Sequence, residues 1–204
     1  MLHLAAPSEA DWGDRALAHM DEILLDHAHC EKKAASTAIS MIFRYPEYPQ
    51  LMIPMSELAR EELEHFELVV DLIRARGHEF VRQEPSAYAG RLMTAVRKEQ
   101  PQRLLDLLLC CSLIEARSCE RMQLIARALA KQGADQPEHE LHALFVLYDG
   151  LLASEARHHA TYVELARSCV DVGEDALQAR LAELAAHEAE VVRTSGDAPP
   201  RMHS

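Results

Sequence analysis

Apolar residues recur along this chain at intervals of three and four, the spacing that builds one face of an α-helix. The first such stretch spans about Asp14 to Arg44. It ends before Tyr45-Pro46-Glu47-Tyr48-Pro49, where two prolines break a helix. The second starts near Pro54 and stops at Gly77, a residue suited to a helix C-terminus. The third starts near Pro101, as prolines often do at helix starts, and stops at Gly133. The fourth runs from about Pro137 to Val170, before Gly173. A fifth, Glu174 to Val192, puts Leu177, Leu181, Leu184 and Val191 on one face. Between the second and third, the segment His78 to Gln100 is too long for a tight antiparallel turn. It predicts a short helix of its own, around Pro85 to Glu99.

Four long helices with one long crossover in the middle have the ferritin-like topology. The expected fold class is therefore all-α: a ferritin-like four-helix bundle with one long crossover between helices two and three, plus a C-terminal helix. A single domain is expected over 1–193, followed by a mobile tail over 194–204, which holds Gly, two Pro and few apolar residues. Composition agrees. The 204 residues suit one domain, and an apolar share of 49% supplies a sizeable core. Only 7 Gly and 9 Pro are too few for a turn-rich β fold.

The formal charge of −12 disfavours a non-specific nucleic-acid coat but leaves room for a local basic patch. Five cysteines (Cys30, Cys110, Cys111, Cys119, Cys169) form no Cys-x-x-Cys pair, which predicts buried free thiols in a reducing cytoplasm. The first residues lack the basic and long apolar regions of a signal peptide, and no apolar run reaches membrane-spanning length. A cytoplasmic protein with no membrane contact is expected.

Candidate chemistry comes from two strings of the form Glu-x-x-His. Helix two holds Glu62-Leu63-Glu64-His65, and helix four holds Glu155-Ala156-Arg157-His158. Three residues is about one turn, so each Glu and His share a face. Helix one offers Glu31 amid Leu24, His27, Ala28, Ala34, Ala35 and Ala38. Helix three offers Glu115 amid Leu108, Cys111, Ser112, Cys119 and Met122. Glu, Glu-x-x-His, Glu, Glu-x-x-His, one element per helix, is the ligand arithmetic of a di-iron carboxylate bundle. Four carboxylates balance two divalent ions, and one imidazole per ion adds a donor that suits iron. A single Glu-x-x-His arises readily by chance; four elements on four apolar stripes are a different matter.

Register leaves alternatives open. Glu61 stands four before His65, Glu64 lies one turn after Glu61, and His159 stands four after Glu155. The pairs Glu62/His65 and Glu155/His158 are preferred because both keep the same spacing and fit their apolar stripes. His27 and His29 flank Glu31 and are expected to be satisfied or surface histidines. Tyr148 and Tyr162, each two turns from Glu155, are expected to pack in the core.

Three stretches, His29 to Val69, Leu107 to Ala126 and Leu151 to Ala166, resemble the tRNA 2-methylthio-isopentenyladenosine hydroxylase family, MiaE. Beyond the Glu-x-x-His strings, Glu31-Lys32-Lys33-Ala34-Ala35 and the Tyr-Pro-rich turn carry the likeness. The resemblance covers the chain from about Asp26 to the end of helix four. It implies a non-haem di-iron monooxygenase with two iron ions held by Glu31, Glu62, His65, Glu115, Glu155 and His158. It would use O2 to hydroxylate an allylic carbon of the isopentenyl group beside the tRNA anticodon. Two electrons would come from an external reductase or ferredoxin, since the chain has no flavin or Fe–S motif. Many di-iron monooxygenases carry Asp-Glu-x-Arg-His. This chain departs from that pattern at Ser154, which precedes Glu155, and at Glu64, which precedes His65.

The crossover fits an RNA substrate. Between Arg74 and Arg103 seven Arg and Lys face three Glu, a basic island on an acidic chain. Arg91, Arg97, Lys98 and Arg103 are the candidate contacts to anticodon-arm phosphates, and Arg44, Lys32 and Lys33 extend the patch. A solvated helix face is the plain alternative. Two other readings compete with the hydroxylase: a ferritin-like iron-storage or iron-oxidising protein, and a metal-free helical interaction module. The long basic crossover suits substrate recognition better than cage assembly, so a monomer or dimer is expected.

Overall fold

The computed structural model describes residues 2–195 and 200–203. Its elements are α1 (Trp12–Ala18), α2 (Met20–Arg44), α3 (Pro49–Ala75), α4 (Tyr88–Leu92) with a 3-10 turn at Met93–Ala95, α5 (Gln102–Lys131), α6 (His142–Cys169) and α7 (Glu174–Arg193). Among the described residues there is no strand. Helices α2 and α3 pair along their length, as do α5 and α6, and α3 packs on α6. The chain crosses between the two pairs through residues 76–101. This is the ferritin-like bundle with one long crossover. Helix α1 lies on α5, and α7 covers α4, α5 and α6.

Element boundaries depart from the sequence expectation where local geometry intervenes. The first stretch breaks at His19, whose φ of −126° and ψ of 34° leave the helical region, so α1 and α2 are separate. Helix α3 starts at Pro49, ahead of Pro54. Pro49 stands in the first turn, where its missing N–H would have had no partner anyway. Helix α6 starts at His142 rather than Pro137. Residues 134–141 form successive turns, closed by the His142 ring on the Ala134 carbonyl at 2.9 Å. Both α3 and α5 do end on glycines in the left-handed region, Gly77 (φ 82°) and Gly133 (φ 84°).

The core falls into two clusters. One gathers Ala38, Met55, Leu108, Tyr162 and Leu181. The other gathers Trp12, Leu24, Val69, Met122 and Tyr148. Between them every bundle helix passes through a buried polar layer.

Buried charge fastens the outer helices. Asp106 on α5 accepts from Arg97 (backbone N–H, Nε and Nη2) and from Arg180 on α7, and these partners hold its carboxyl down at about 2 against the pull of burial. That clamp ties the end of the crossover to both helices. It also shortens the predicted crossover helix, because Val96 turns extended to deliver the Arg97 N–H. A second network joins Arg117 to Glu188 by two hydrogen bonds, of 2.9 and 2.8 Å, with Tyr88 donating to the same carboxylate at 2.9 Å. Among the described residues no helix is long and apolar enough to cross a membrane.

The tail expected to be mobile falls partly on 196–199 and 204, which lie outside the described residues. Residues 200–203 are packed. Met202 and His203 are buried, the Met202 N–H donates to Asp26 at 2.9 Å, and His203 Nε2 meets Ser118 Oγ at 2.9 Å. Gly and Pro content does not report the apolar body of Met202 or the flat ring of His203, both of which fit a core.

Replacing Glu188 with Ala leaves the fully buried Arg117 with only part of its countercharge and orphans the Tyr88 hydroxyl. A destabilisation of about 3 kcal/mol is expected. Thermal or urea unfolding measures it, and an unchanged midpoint would refute the network's role.

Candidate metal centre

The polar layer comes from the middles of α2, α3, α5 and α6, where small neighbours leave room. Glu31 sits between Ala28 and Ala35 on its helix face, and Glu62 follows Ala59 by one turn. Glu31, Glu62, His65, Glu115, Glu155 and His158 are all buried. One ligand atom from each of Glu31, Glu62, His65 and Glu155 lies within 4.8 Å of the others, and the same holds for Glu62, Glu115, Glu155 and His158. The two groups share Glu62 and Glu155, which places these carboxylates between the halves. The structure thus brings all six predicted side chains together, and it sends the register alternatives elsewhere. Glu64 is exposed, and His159 bonds the Ser112 carbonyl at 2.8 Å.

Distances inside the layer are short. His158 Nδ1 is 2.8 Å from Glu62 and 3.9 Å from Glu155. His65 Nδ1 is 3.4 Å from Glu31 and 3.6 Å from Glu155. Burial and the neighbouring carboxylates Glu115 and Glu31 push Glu62 well above the usual carboxylate range, and burial with Glu155 and Glu31 does the same to Glu115. Burial also acts to raise Glu31, but His27 and His65 hold it well below that range. Burial lowers His65, and Glu155 and Glu31 outweigh it, lifting the imidazole to about 10. Close as they are, Glu31 Oε2, Glu62 Oε1, His65 Nδ1, Glu155 Oε1 and His158 Nδ1 make no hydrogen bond of proper geometry among the described residues. Buried polar atoms are rarely left so. Hard carboxylate oxygens and borderline imidazole nitrogens aimed at one another are the donor set of a divalent transition-metal pair, and the residues present fit it.

A cavity of about 150 Å³ reaches this layer. Glu31, Glu62, Glu115 and Glu155 line its floor, and Ala34, Met93, Ile114, Cys111 and Tyr162 contribute to its walls.

Comparison with known proteins agrees with this architecture. Residues 1–204 match the family model described as tRNA-(MS[2]IO[6]A)-hydroxylase (MiaE). This chain belongs to the MiaE family. It is 40% identical over 202 residues to a Pseudomonas putida protein named tRNA 2-(methylsulfanyl)-N(6)-isopentenyladenosine(37) hydroxylase, covering 98% of this chain and 91% of that one. A Salmonella typhimurium protein of the same name is 36% identical over 155 residues, 76% of this chain and 52% of that one. Among solved structures, a Synechococcus protein described as having aldehyde deformylating oxygenase activity superposes with a TM-score of 0.86 and 43% identity, covering 98% of this chain and 95% of that one. The iron-storage alternative is not favoured by these relatives.

In this MiaE chain the residue before each Glu of the Glu-x-x-His strings reaches across to the other string's histidine. Glu61 Oε2 lies 3.0 Å from His158 Nε2, and Ser154 Oγ lies 3.3 Å from His65 Nε2. Ser154 donates its own proton to the Leu151 carbonyl at 2.8 Å, so its oxygen accepts from His65. Both rings are thereby turned with Nδ1 inward, the orienting role that outer partners play around metal-binding histidines. The serine that departs from the common pattern still supplies an acceptor. His27 is fully buried, 2.6 Å from Glu31 and stacked near Tyr148 with ring centres 5.5 Å apart. It belongs to the layer's edge. His203 also lines the cavity, with its ring stacked on Tyr88 at 5.1 Å. Position beside the Glu of each Glu-x-x-His string was the signal for Glu61 and Ser154; His203 carries none in sequence.

The basic-island residues fare differently. The Arg97 guanidinium is occupied by Asp106, and Arg91 donates to the Thr194 carbonyl at 3.2 Å and to its hydroxyl. Lys98 and Arg103 are exposed.

Metal-free, burial and like charge favour the protonated forms of Glu62 and Glu115, and His65, lifted to about 10, holds a proton at neutral pH. A divalent ion has to displace protons held by this layer, so binding releases protons and tightens as pH rises toward the raised value of His65. Calorimetric titration with Fe²⁺ or Zn²⁺ in buffers of different ionisation enthalpy checks this; no proton release would refute it. Glu115→Gln removes a carboxyl whose raised pKa costs stability as pH climbs above the unfolded value. The metal-free variant is expected to melt higher, by about 2 to 4 °C per kcal/mol recovered, while losing metal.

Proposed function

We propose that this chain is an O2-dependent di-iron monooxygenase that hydroxylates the isopentenyl group of 2-methylthio-isopentenyladenosine beside the tRNA anticodon. The observation that carries the reading is the small apolar-walled cavity ending at the carboxylate layer, in a chain that matches the hydroxylase family throughout. A space of about 150 Å³ is one that holds a six-carbon ring. It takes a five-carbon branched chain and leaves the purine at the mouth.

Glu31, Glu62, His65, Glu115, Glu155 and His158 would hold two irons, Glu62 and Glu155 being common to both donor groups. Bound there, the metal pair supplies activation of O2: one oxygen atom enters a C–H bond of the prenyl group and the other leaves as water, with two electrons and two protons consumed. The protein's part is position and exclusion. Ala34, Met93 and Ile114 keep the prenyl chain dry and aimed at the floor. Glu61 and Ser154 keep both imidazole rings in one tautomer. The electrons come from a separate reductase or ferredoxin in the cytoplasm, and the working species is a monomer or dimer. An anticodon-loop base is single-stranded, so its presentation to the cavity needs no duplex opening.

A second reading rests on the solved Synechococcus relative, whose description concerns aldehydes. Nucleoside analysis of tRNA from cells with and without this protein separates the two. Loss of the hydroxylated nucleoside and accumulation of its unhydroxylated precursor are expected. Unchanged tRNA nucleosides, with purified protein converting an aldehyde, would overturn the tRNA reading. Glu115→Ala or His158→Ala should abolish both metal binding and hydroxylation while circular dichroism stays helical, since the apolar stripes remain; full activity in either variant would remove that residue from the ligand set.

A further inference from the structure

Helix α2 presents a stripe that the metal layer does not use. Lys33, Thr37, Ser40 and Arg44 recur at i, i+4, i+7 and i+11, so they share one face. Lys33 and Thr37 line the cavity above the carboxylates. Thr37, Ser40 and Arg44 line a second cavity of about 220 Å³, together with Ser36 and Tyr45. Both cavities include Thr37, Met93 and Cys111 in their walls. They are adjoining chambers along one helix. The inner one has Ala34, Met93 and Ile114 among its walls and ends at the carboxylates. The outer one is lined by three hydroxyl side chains of α2 and ends at a guanidinium.

The charges on this stripe are available. Among the described residues neither Lys33 nor Arg44 forms an ion pair with an acidic side chain, and both are exposed. Arg91 and Arg97, on the crossover, have their guanidinium groups engaged within the protein, and Lys32 sits over the Phe80 ring at 5.0 Å. On a chain of net charge −12, two unpaired cations at the ends of a hydroxyl-lined groove favour an anionic ligand. Eleven residues of helix separate them by about 16 Å along the axis. That exceeds the step between neighbouring phosphates on a strand, so each cation meets a different phosphate.

We propose that Lys33, Thr37, Ser40 and Arg44 form the sugar-phosphate subsite for the tRNA anticodon loop, with Lys33 and Arg44 on phosphates to either side of the modified nucleotide and the hydroxyls of the outer chamber on ribose. The proposal rests on the tRNA reading above and locates its main backbone contacts on α2. The chemistry is that of a single strand: hydroxyl donors and acceptors meet 2′-hydroxyls, and the two cations meet the backbone without reading sequence.

The test uses the metal-loaded full chain and tRNA carrying the 2-methylthio-isopentenyl nucleoside. Binding is measured across a range of salt for the wild type and for Lys33→Ala/Arg44→Ala. Dissociation constants should rise about tenfold or more at low salt, and the slope of log K against log salt should shrink by about 1.4, two single-strand phosphate contacts. Metal content and melting temperature should hold, because both side chains stand outside the core. An unchanged affinity and slope in the double variant, with wild type binding tRNA, would overturn the subsite alone. A wild type that binds no tRNA would overturn the function reading and the subsite with it. Arg44→Lys should retain most of the affinity, since a phosphate accepts either cation; a loss as large as that of Arg44→Ala would instead assign Arg44 to a bidentate partner and overturn its placement on a backbone phosphate.

Discussion

Four carboxylates occupy the centre of a helical bundle with two imidazoles among them, and every other feature of the structure accommodates that excess of negative charge. The layer divides the apolar core in two, so neither half is continuous through the bundle. Burial and mutual repulsion raise Glu62 and Glu115, while His27 and His65 hold Glu31 down. Carboxylates driven apart in this way store protons that cations displace. Left alone, they would be among the costliest groups a core can hold. Their donor atoms converge as a metal-ligand set would, and a bound divalent pair would restore the charge balance.

The two halves are alike in geometry and unlike in chemistry. Each histidine is turned inward by the residue that precedes the opposite ligand glutamate. One such partner is a carboxylate, Glu61, and the other a hydroxyl, Ser154. A carboxylate enriches its imidazole more than a hydroxyl does. The halves therefore differ as donors although their Glu-x-x-His spacing is the same. The walls of the cavity depend on a separate device. Helix α4 spans only Tyr88–Leu92, and its N-cap residue, Ala87, supplies no side-chain cap. Its position comes from Tyr88 bonding to Glu188 and from the Arg97–Asp106–Arg180 clamp just beyond it. Two buried acids outside the metal layer thus set the shape of the space above it.

Much of this was legible from residue order, because its signals are periodic. The helical faces, the crossover and the four-part ligand pattern are all statements about spacing, and the six side chains do meet in one layer. Helix ends were less legible. The break at His19 and the late start of α6 at His142 come from backbone turns whose residues are compatible with a helix. Pro49 opens α3 because a proline can begin a helix as readily as end one. The packing of Met202 and His203 beside Asp26 and Ser118 is a contact between positions far apart in the chain, and composition carries no information about it. His27 was legible as a face and not as a contact: its spacing from Glu31 is apparent, but its complete burial depends on Tyr148 from another helix.

Charge shows the same limit most sharply. Summed along the chain, the crossover is a basic island; in three dimensions part of that charge is taken up by partners within the protein. Arg97 neutralises Asp106, which no solvent reaches, and Arg91 is tied to the end of α7. A buried acid captures the nearest arginine, since leaving it unpaired would cost more than any contact that arginine makes outside. Among the described residues Lys33 and Arg44 on α2 form no ion pair with an acidic side chain. The helix that contributes Glu31 to the layer also carries Lys33 in the cavity wall, so on the proposed reading a substrate held along α2 would be aligned on the carboxylate layer by the rigidity of one helix.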